Sequence, residues 1–519
     1  MIFKYLRIVR KEVQKHKLEY SLLFLVFLTA LFVRVYRLGD LLGFYYDQGR
    51  DALVIWRLWH EGKPFLIGPV TGLAGLFLGP LFYYLISPFY LIGGGNPVYP
   101  AVFLAFLSTT AISLLYFLGK RMHSRTSGFL AVIIASFSYY IVLAGRWLSN
   151  PTPVMLTSVL LLWSMWEIVN QKSKVRNQKS NFFWVASFFL IGISMHFESA
   201  SAIFYLPLFA VFSVWVYLSD RKKFPSVKTF IIAGALFFFT LLPQLLFNFR
   251  HDNILFNNFK RVFSEERSIG TPFTSYNLNR KQKYFIGVFE SKIFPGTVKS
   301  KGLFVLAAVL GLLIASTKSK KLITLFIIFL GVPVIGYIFY QGNHGNIFDY
   351  YMTGYYLPMI LLFSLGLATL WKNFIGKIIV VGFLIAFLNV NLEPLKNYLS
   401  AGVDGPTHIT LGNQLQVVDW VYEDSTGRGE FNVDVYVPPV IPYAYDYLFL
   451  WQGNRLCGVE LCGMVEDRRG LIYILYEVDP PHPERLENWL AKYEDNTIIE
   501  AEERYGGIFV QRRQRIIND

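Results

Sequence analysis

Charge is what this chain of 519 residues has least of: 16% is Asp, Glu, Lys or Arg, against 54% hydrophobic and 18% aromatic residues. A soluble domain does not carry that balance; a membrane protein with an appended soluble part does. Acid is scarcest over the first 390 residues, which hold 14 Asp and Glu beside 38 Lys and Arg. Residues 391–519 reverse the bias, with 21 acidic and 11 basic residues. The formal net charge of +14 thus hides a basic part and an acidic tail. Membrane topology and anionic lipid explain the basic residues, and nucleic acid is excluded as a partner. Cysteine is nearly absent: Cys457 and Cys462 both lie in the tail, where a bond between them is permitted outside the membrane. A nucleotide cradle is missing, because Gly93-Gly94-Gly95 has no strand–helix frame and reads as a turn. Asn150-Pro151-Thr152 is excluded as a glycosylation acceptor by its proline. No cleavable signal peptide is evident, and the basic start followed by a long apolar run reads as an uncleaved signal anchor.

What the chain has in quantity is apolar runs. Eleven are long enough to span a bilayer, or nearly so: roughly 19–36, 99–118, 128–144, 153–169, 182–196, 200–218, 229–248, 302–316, 322–340, 355–371 and 376–391. Basic residues mark alternate connections, at Lys120-Arg121, Lys172 to Lys179, Arg221 to Lys228, Lys318 to Lys321 and Lys372 to Lys377. The positive-inside rule puts these and the N-terminus in the cytoplasm, and eleven spans leave the tail outside. A further apolar segment, roughly 73–92, would break that alternation if it spanned. Its glycine and proline content suits a helix lying at the outer interface within the first external loop.

That loop opens on the most polar stretch of the region, Val33 to Asp51, which carries three Asp and three Arg. An apolar helix ends in Arg34-x-Tyr36-Arg37-Leu38-Gly39, and a short loop leads to Tyr45-Tyr46-Asp47-Gln48-Gly49-Arg50-Asp51-Ala52. The pattern resembles the start of the polytopic, lipid-dependent glycosyltransferases of the GT-C class. It is similar to the protein O-mannosyltransferase family and to the bacterial enzymes that place aminoarabinose on lipid A. The resemblance continues through Gly79-Pro80-Leu81-Phe82-Tyr83-Tyr84 and Gly93-Gly94-Gly95-Asn96-Pro97, and covers the layout of roughly residues 20–400. It implies a mainly α polytopic fold, an inverting transfer from a polyprenyl-phosphate sugar, and a catalytic base at Asp47. Two departures stand out. Gln48 replaces the acid that usually follows the base, and Leu78-Gly79 stands where many relatives carry a phosphate-binding Lys before the proline.

Ten of the 14 acids before residue 391 fall at the outer side: Asp40, Asp47, Asp51, Glu61, Glu198, Asp252, Glu265, Glu266, Glu290 and Asp349. None must sit near a helix centre, where a charge costs roughly 2.5–3.5 kcal/mol. A carrier or flippase would need ionisable groups along a path through the bilayer, so one-sided chemistry favours an interfacial enzyme. A positioned carboxylate such as Asp47 can take the proton of a weakly nucleophilic hydroxyl; the bland alternative is a solvated flank. Asp51, one helical turn on, caps or pairs with Arg50 or contributes to acceptor binding. His196 and Glu198 form a His-x-Glu pair read three ways: acceptor or sugar binding, a divalent metal with Asp47, or a hydrogen-bonded loop. Arg146 and Arg250 suit the departing phosphate through bidentate hydrogen bonds, with headgroup anchoring as the alternative. His251, Tyr350 and Tyr351 follow as donor-phosphate candidates, and Asn343-His344 is a further polar cluster beside them. Arg280 to Lys283 reads as a solvated or headgroup-facing surface.

From about Asn391 the pattern turns soluble. Helices are expected at Leu411–Tyr422 and Glu484–Tyr493, and a helix or extended segment at Tyr443–Trp451. Strands are expected at Asn432–Val437, Leu471–Tyr476, Thr497–Ala501 and Ile508–Gln511. The division is therefore a transmembrane transferase part, 1–390, with its catalytic loop at about 37–98, and an extracytoplasmic α/β domain, 391–519. The expected setting is the cell membrane, and the partners are a polyprenyl-phosphate sugar, an extracytoplasmic acceptor and membrane lipid. Beside this reading stand a lipid-linked glycan carrier and an oligosaccharyl-type ligase. No cofactor is required by the sequence.

Overall fold

In the computed structural model the described residues are 12–73, 75–171, 178–262, 275–340, 347–438 and 441–516. Eight helices among them are long and apolar enough to cross a membrane: Lys17–Val35, Val98–Met122, Ser180–Phe197, Ser199–Ser219, Lys301–Lys318, Lys320–Phe339, Asp349–Leu370 and Phe374–Ser400. Two bent pairs raise the number to ten, Arg125–Phe137 with Tyr139–Arg146 and Val227–Thr240 with Leu242–Arg250. The run at 153–169 is the 17-residue helix Val154–Asn170, about 25 Å long at 1.5 Å per residue. The chain is a multi-pass membrane protein, mainly helical, with a small C-terminal sheet.

The two bends have chemical causes, since backbone groups freed inside a bilayer must find partners. At Ser138 the helix turns by 67°. There the amide of Tyr139 donates to Asn391 Oδ1, and Ser138 Oγ donates to the carbonyl of Lys292. Asn391, fully buried, also donates to the carbonyls of Ile293 and Phe387. The second break, 55° at Thr240–Leu242, precedes Pro243, whose ring cannot donate. The Thr240 carbonyl at this break accepts from His196 Nε2 at 2.6 Å.

The apolar segment expected as a helix over 73–92 is helical only from Leu81 to Ile92. Pro80 caps it, and the preceding chain folds back in an isolated bridge between Val70 and Phe77. Twelve residues reach about 18 Å, short of the roughly 30 Å hydrocarbon core.

The sheet has the order β1-β2-β4-β3, with β1 Phe431–Tyr436, β2 Leu471–Glu477, β3 Thr497–Tyr505 and β4 Ile508–Arg515. β1 and β2 run parallel and the other pairs antiparallel. The β3–β4 turn is Gly506-Gly507, with Gly506 at φ +60°, as a two-residue hairpin requires. Helices Leu411–Ser425, Tyr443–Cys457 and Pro483–Glu494 lie where the hydrophobic pattern expects them. Cys457 and Cys462 form a disulfide at the end of the second.

This tail and the first loop share one hydrophobic core. Phe44, Ala52, Ile55, Phe82, Tyr83 and Tyr90 from the loop pack with Val417, Val421, Tyr445, Tyr447, Leu475 and Val510 from the tail. Hydrogen bonds lash them together: Gln414 Nε2 to the Phe44 carbonyl, Leu411 N to the Leu42 carbonyl, and Tyr45 Oη to the Ile409 carbonyl. Helices Tyr46–Glu61 and Tyr443–Cys457 approach so closely that a Cβ at Gly49 would collide with the backbone of Tyr443 and Ala444. Gly49→Val should therefore cost about 1–3 kcal/mol through overpacking, seen as a lower melting temperature of the purified protein in detergent.

Candidate functional site

Asp47 stands in the first turn of helix Tyr46–Glu61, capped by Tyr45 and by the Gln48 side chain, which accepts from the Tyr45 amide. This gives Gln48 a structural task in place of the missing acid. Arg50 forms ion pairs with Asp47 and Asp51, at 2.8 and 2.7 Å. The two carboxylates differ sharply in surroundings. Asp47 is 56% exposed, and Asp51 is buried and also accepts from Tyr83 Oη. Burial pushes the Asp51 carboxyl up to about 6 against the pull of Arg50. Burial also opposes the Arg50 charge, but Asp51 and Asp47 outweigh it and raise its pKa.

Beside this loop lies a cavity of about 500 Å³, lined by Tyr45, Arg146, Trp147, Lys292, Asp349, Tyr350, Tyr356 and Tyr398 among others. Two of its cations are buried. Arg146 donates through Nη1 to the carbonyls of Val33 and Tyr36 and lies over the Tyr398 ring. Its Nε and Nη2 have no hydrogen-bond partner among the described residues. A buried guanidinium with free donors is costly unless an anion visits. Lys292, 2% exposed, pairs with Asp349 Oδ2 at 2.6 Å and lies over the rings of Tyr356 and Tyr140. Burial lowers its pKa, with Asp349 opposing. Tyr350 packs edge-on against Trp147 and lies within electrostatic reach of Asp47 and Glu198. Tyr350 thus joins the cavity to the loop.

The other expected site residues fall outside this cluster. Arg250 and His251 are exposed, and His251 stacks on Phe247 and contacts its carbonyl. Tyr351 is buried, and its carbonyl accepts from Ser201 and Tyr337. His196 is engaged at both nitrogens: Nε2 donates to the Thr240 carbonyl, and Nδ1 accepts from the amide of Leu81, the first residue of the loop helix. Gly79 makes room for it, since a Cβ there would collide with the imidazole. Glu198 caps the short helix Ser199–Ala202 by accepting from the Ala200 amide. A divalent metal does not fit this donor set, because His196 has no free lone pair and Glu198 is a cap. Among the described residues no three His, Cys, Asp or Glu gather into a metal-binding group. Asn343-His344 lies outside the described residues.

Two readings of the sequence need correcting or completing. Within Arg280 to Lys283, Lys281 is not on a solvated surface: it is 5% exposed and caps a helix end through the carbonyls of Tyr337, Ile338 and Tyr340. Lys292 went unread because its partner, Asp349, is 57 residues away. The one sequence signal was a lone Lys beside an apolar run facing the Phe348-Asp349-Tyr350-Tyr351 cluster.

Fold and site together define a polytopic membrane protein of the GT-C fold. The structure is similar to that of ArnT from Cupriavidus metallidurans bound to undecaprenyl phosphate, with a TM-score of 0.57 and 10% identity over 96% of this chain and 98% of that one. It is also similar to the Archaeoglobus fulgidus oligosaccharyltransferase in complex with Zn and sulfate, with a TM-score of 0.51 and 13% identity over 87% and 68% of the two chains. Residues 78–247 match the model of the dolichyl-phosphate-mannose-protein mannosyltransferase family. No curated protein matches the chain by sequence. The resemblance to the GT-C class therefore holds across the whole fold.

The Asp51 environment has a consequence for stability. A carboxyl at about 6 when folded and about 3.9 when unfolded favours the folded state most below about pH 4 and loses that contribution as pH rises through 6. Melting curves from pH 4 to 7 should show the wild type losing up to about 2 kcal/mol that Asp51→Asn does not lose.

Proposed function

We propose that the protein is an inverting glycosyltransferase that moves a sugar from a polyprenyl phosphate to an acceptor hydroxyl on the extracytoplasmic side. The observation that carries this is the pair of buried cations, Arg146 and Lys292, lining one cavity beside the loop that bears Asp47. The acceptor oxygen attacks the anomeric carbon from the face opposite the phosphate. The bond from that carbon to the phosphate oxygen breaks, and its electron pair leaves on the phosphate. Asp47 takes the acceptor proton. Arg146 offers the leaving phosphate its free Nε and Nη2 donors, and Lys292 a compact positive charge. Arg50 orients the Asp47 carboxylate through their ion pair.

This reading divides the tasks among the remaining candidates. Tyr350 lines the donor cavity, while Arg250, His251 and Tyr351 serve headgroup contact or packing. Asp51 holds Arg50, and His196 and Glu198 position the loop helix and its neighbour. Lys292 takes the phosphate-binding place left open by Gly79. Residues beyond the helix Phe374–Ser400 form an accessory unit on the same side as the first loop, a view supported by the core they share. With the N-terminus in the cytoplasm, that side is the outside of the cell membrane. A cavity of about 500 Å³ suits a donor carrying a single sugar better than a large oligosaccharide. Support from relatives is limited to the undecaprenyl phosphate bound by ArnT and the dolichol-phosphate bound by AglB of Archaeoglobus fulgidus.

The test is transfer of radiolabelled sugar from polyprenyl-phosphate donors to membrane extract. Asp47→Asn should lower the rate by roughly 10²–10⁴-fold with the melting temperature kept. Lys292→Met should also lose activity, whereas Arg250→Gln should stay near wild type. Full transfer by Asp47→Asn would remove the base from this loop.

A further inference from the structure

A second cavity, of about 280 Å³, lies between helices Tyr46–Glu61 and Tyr443–Cys457 and is also lined by Gly94 and Gly95 of the turn after Ile92. Its walls are aromatic: Trp56, Trp59, Tyr90, Tyr447 and Trp451. The polar edges of three of these rings are already committed. Trp451 Nε1 donates to the Gly94 carbonyl, Tyr447 Oη to the Gly95 carbonyl, and Trp59 Nε1 to the Ser87 carbonyl. A Cβ at Gly95 would collide with the Trp451 ring, so the turn's glycine admits the indole. Tyr447 and Trp451 lie 13° from parallel, and Trp56 stacks on His60 at 3.7 Å. Apolar ring surface is therefore the main thing the rings present to the space.

The polar groups that remain are few and of one kind. Asn454 and Arg455 line the cavity, as does His60, whose Nδ1 contacts the Trp56 carbonyl and whose Nε2 has no hydrogen-bond partner among the described residues. No carboxylate lines it, so a quaternary ammonium would meet rings but also the Arg455 charge. An acyl chain would bury Asn454 and His60 against hydrocarbon without a partner. Membrane anchoring does not explain the walls either, because Tyr90, Tyr447 and Trp451 are all under 5% exposed. A sugar ring meets every condition: its C–H face packs on an aromatic face, and its hydroxyls accept from or donate to a small polar rim.

We propose that this cavity is a carbohydrate-binding subsite, taking one neutral sugar ring by stacking on Trp59 beside Trp56 and by hydrogen bonds to Asn454, Arg455 and His60. Trp59 is twelve residues beyond Asp47 on the same helix, a rise of about 18 Å. A sugar held there belongs to an extended glycan whose far end reaches the reacting hydroxyl. In naming that glycan as the acceptor, the proposal rests on the transferase reading above. The binding of sugar does not.

The experiment titrates the full-length protein in nanodiscs with mannotetraose and with chitotetraose, following intrinsic tryptophan fluorescence. Saturable binding of at least one oligosaccharide is expected, weakened roughly tenfold or more in Trp59→Ala and Asn454→Ala and unchanged in Arg250→Gln. Asn454→Ala removes a half-buried amide with no hydrogen bond to the fold among those described, so its melting curve should match the wild type. Binding to neither oligosaccharide, binding indifferent to both variants, or a response to phospholipid vesicles alone would overturn the proposal. Saturable, variant-sensitive binding in a protein that transfers no sugar would support the subsite and remove the transferase reading. Transfer without oligosaccharide binding would do the reverse.

Discussion

Every freed backbone group in a bilayer must be given a partner, and the position of the candidate site follows from how this chain meets that demand. Breaking a span at Ser138 frees the Tyr139 amide, and Asn391 takes it. Through its amide the same Asn391 holds the Ile293 carbonyl, while Ser138 Oγ holds that of Lys292. A bent helix thereby pins both sides of the segment that carries the buried lysine. At the other bend, the Thr240 carbonyl is taken by His196, which also receives the first amide of the loop helix at Leu81. One imidazole thus ties a broken span to the first loop.

The charges around the cavity show a division between holding and binding. Arg34 is fully buried and donates through Nη1 and Nη2 to the carbonyls of Ala30, Ala135 and Ser136, leaving only its Nε without a partner among the described residues. Arg37 bonds the carbonyls of Leu399 and Ala401 and pairs with Asp40. Both belong to the motif that led to the GT-C resemblance, and both serve as struts. Arg146 is half strut, since Nη1 is used and Nε and Nη2 are not. Arg146 leaves two donors unused where Arg34 leaves one, and of these three arginines it is the one that lines the cavity.

The spans and the tail elements were legible because each is written locally. Apolar runs of the right length mark the helices, and short alternating stretches such as Leu471–Tyr476 mark the strands. The motif around Asp47 lies in one stretch, which the structure folds as the first turn of helix Tyr46–Glu61. What escaped is written across distance. The burial of Lys281 depends on three carbonyls near residue 340, and Lys292 on Asp349 and a bend at Ser138. The helix start at Leu81 was misplaced because a bridge between Val70 and Phe77 competes for the residues before Pro80. The aromatic walls of the second cavity come from three separate segments, and no spacing within one of them reveals the others.

The core shared by the first loop and the tail bears on how the protein is made. Gln414 bonds the Phe44 carbonyl and Tyr447 the Gly95 carbonyl across 370 and 352 residues of chain. A ribosome delivers the loop 352 to 370 residues before these packing partners. During that interval the loop helices are without much of the apolar surface that buries Phe44, Ile55 and Tyr90. Contacts of such sequence separation form slowly, so the Asp47 loop reaches its final shape only after residues 411–510 have been made. The shape of the loop that bears Asp47 thus waits on the tail.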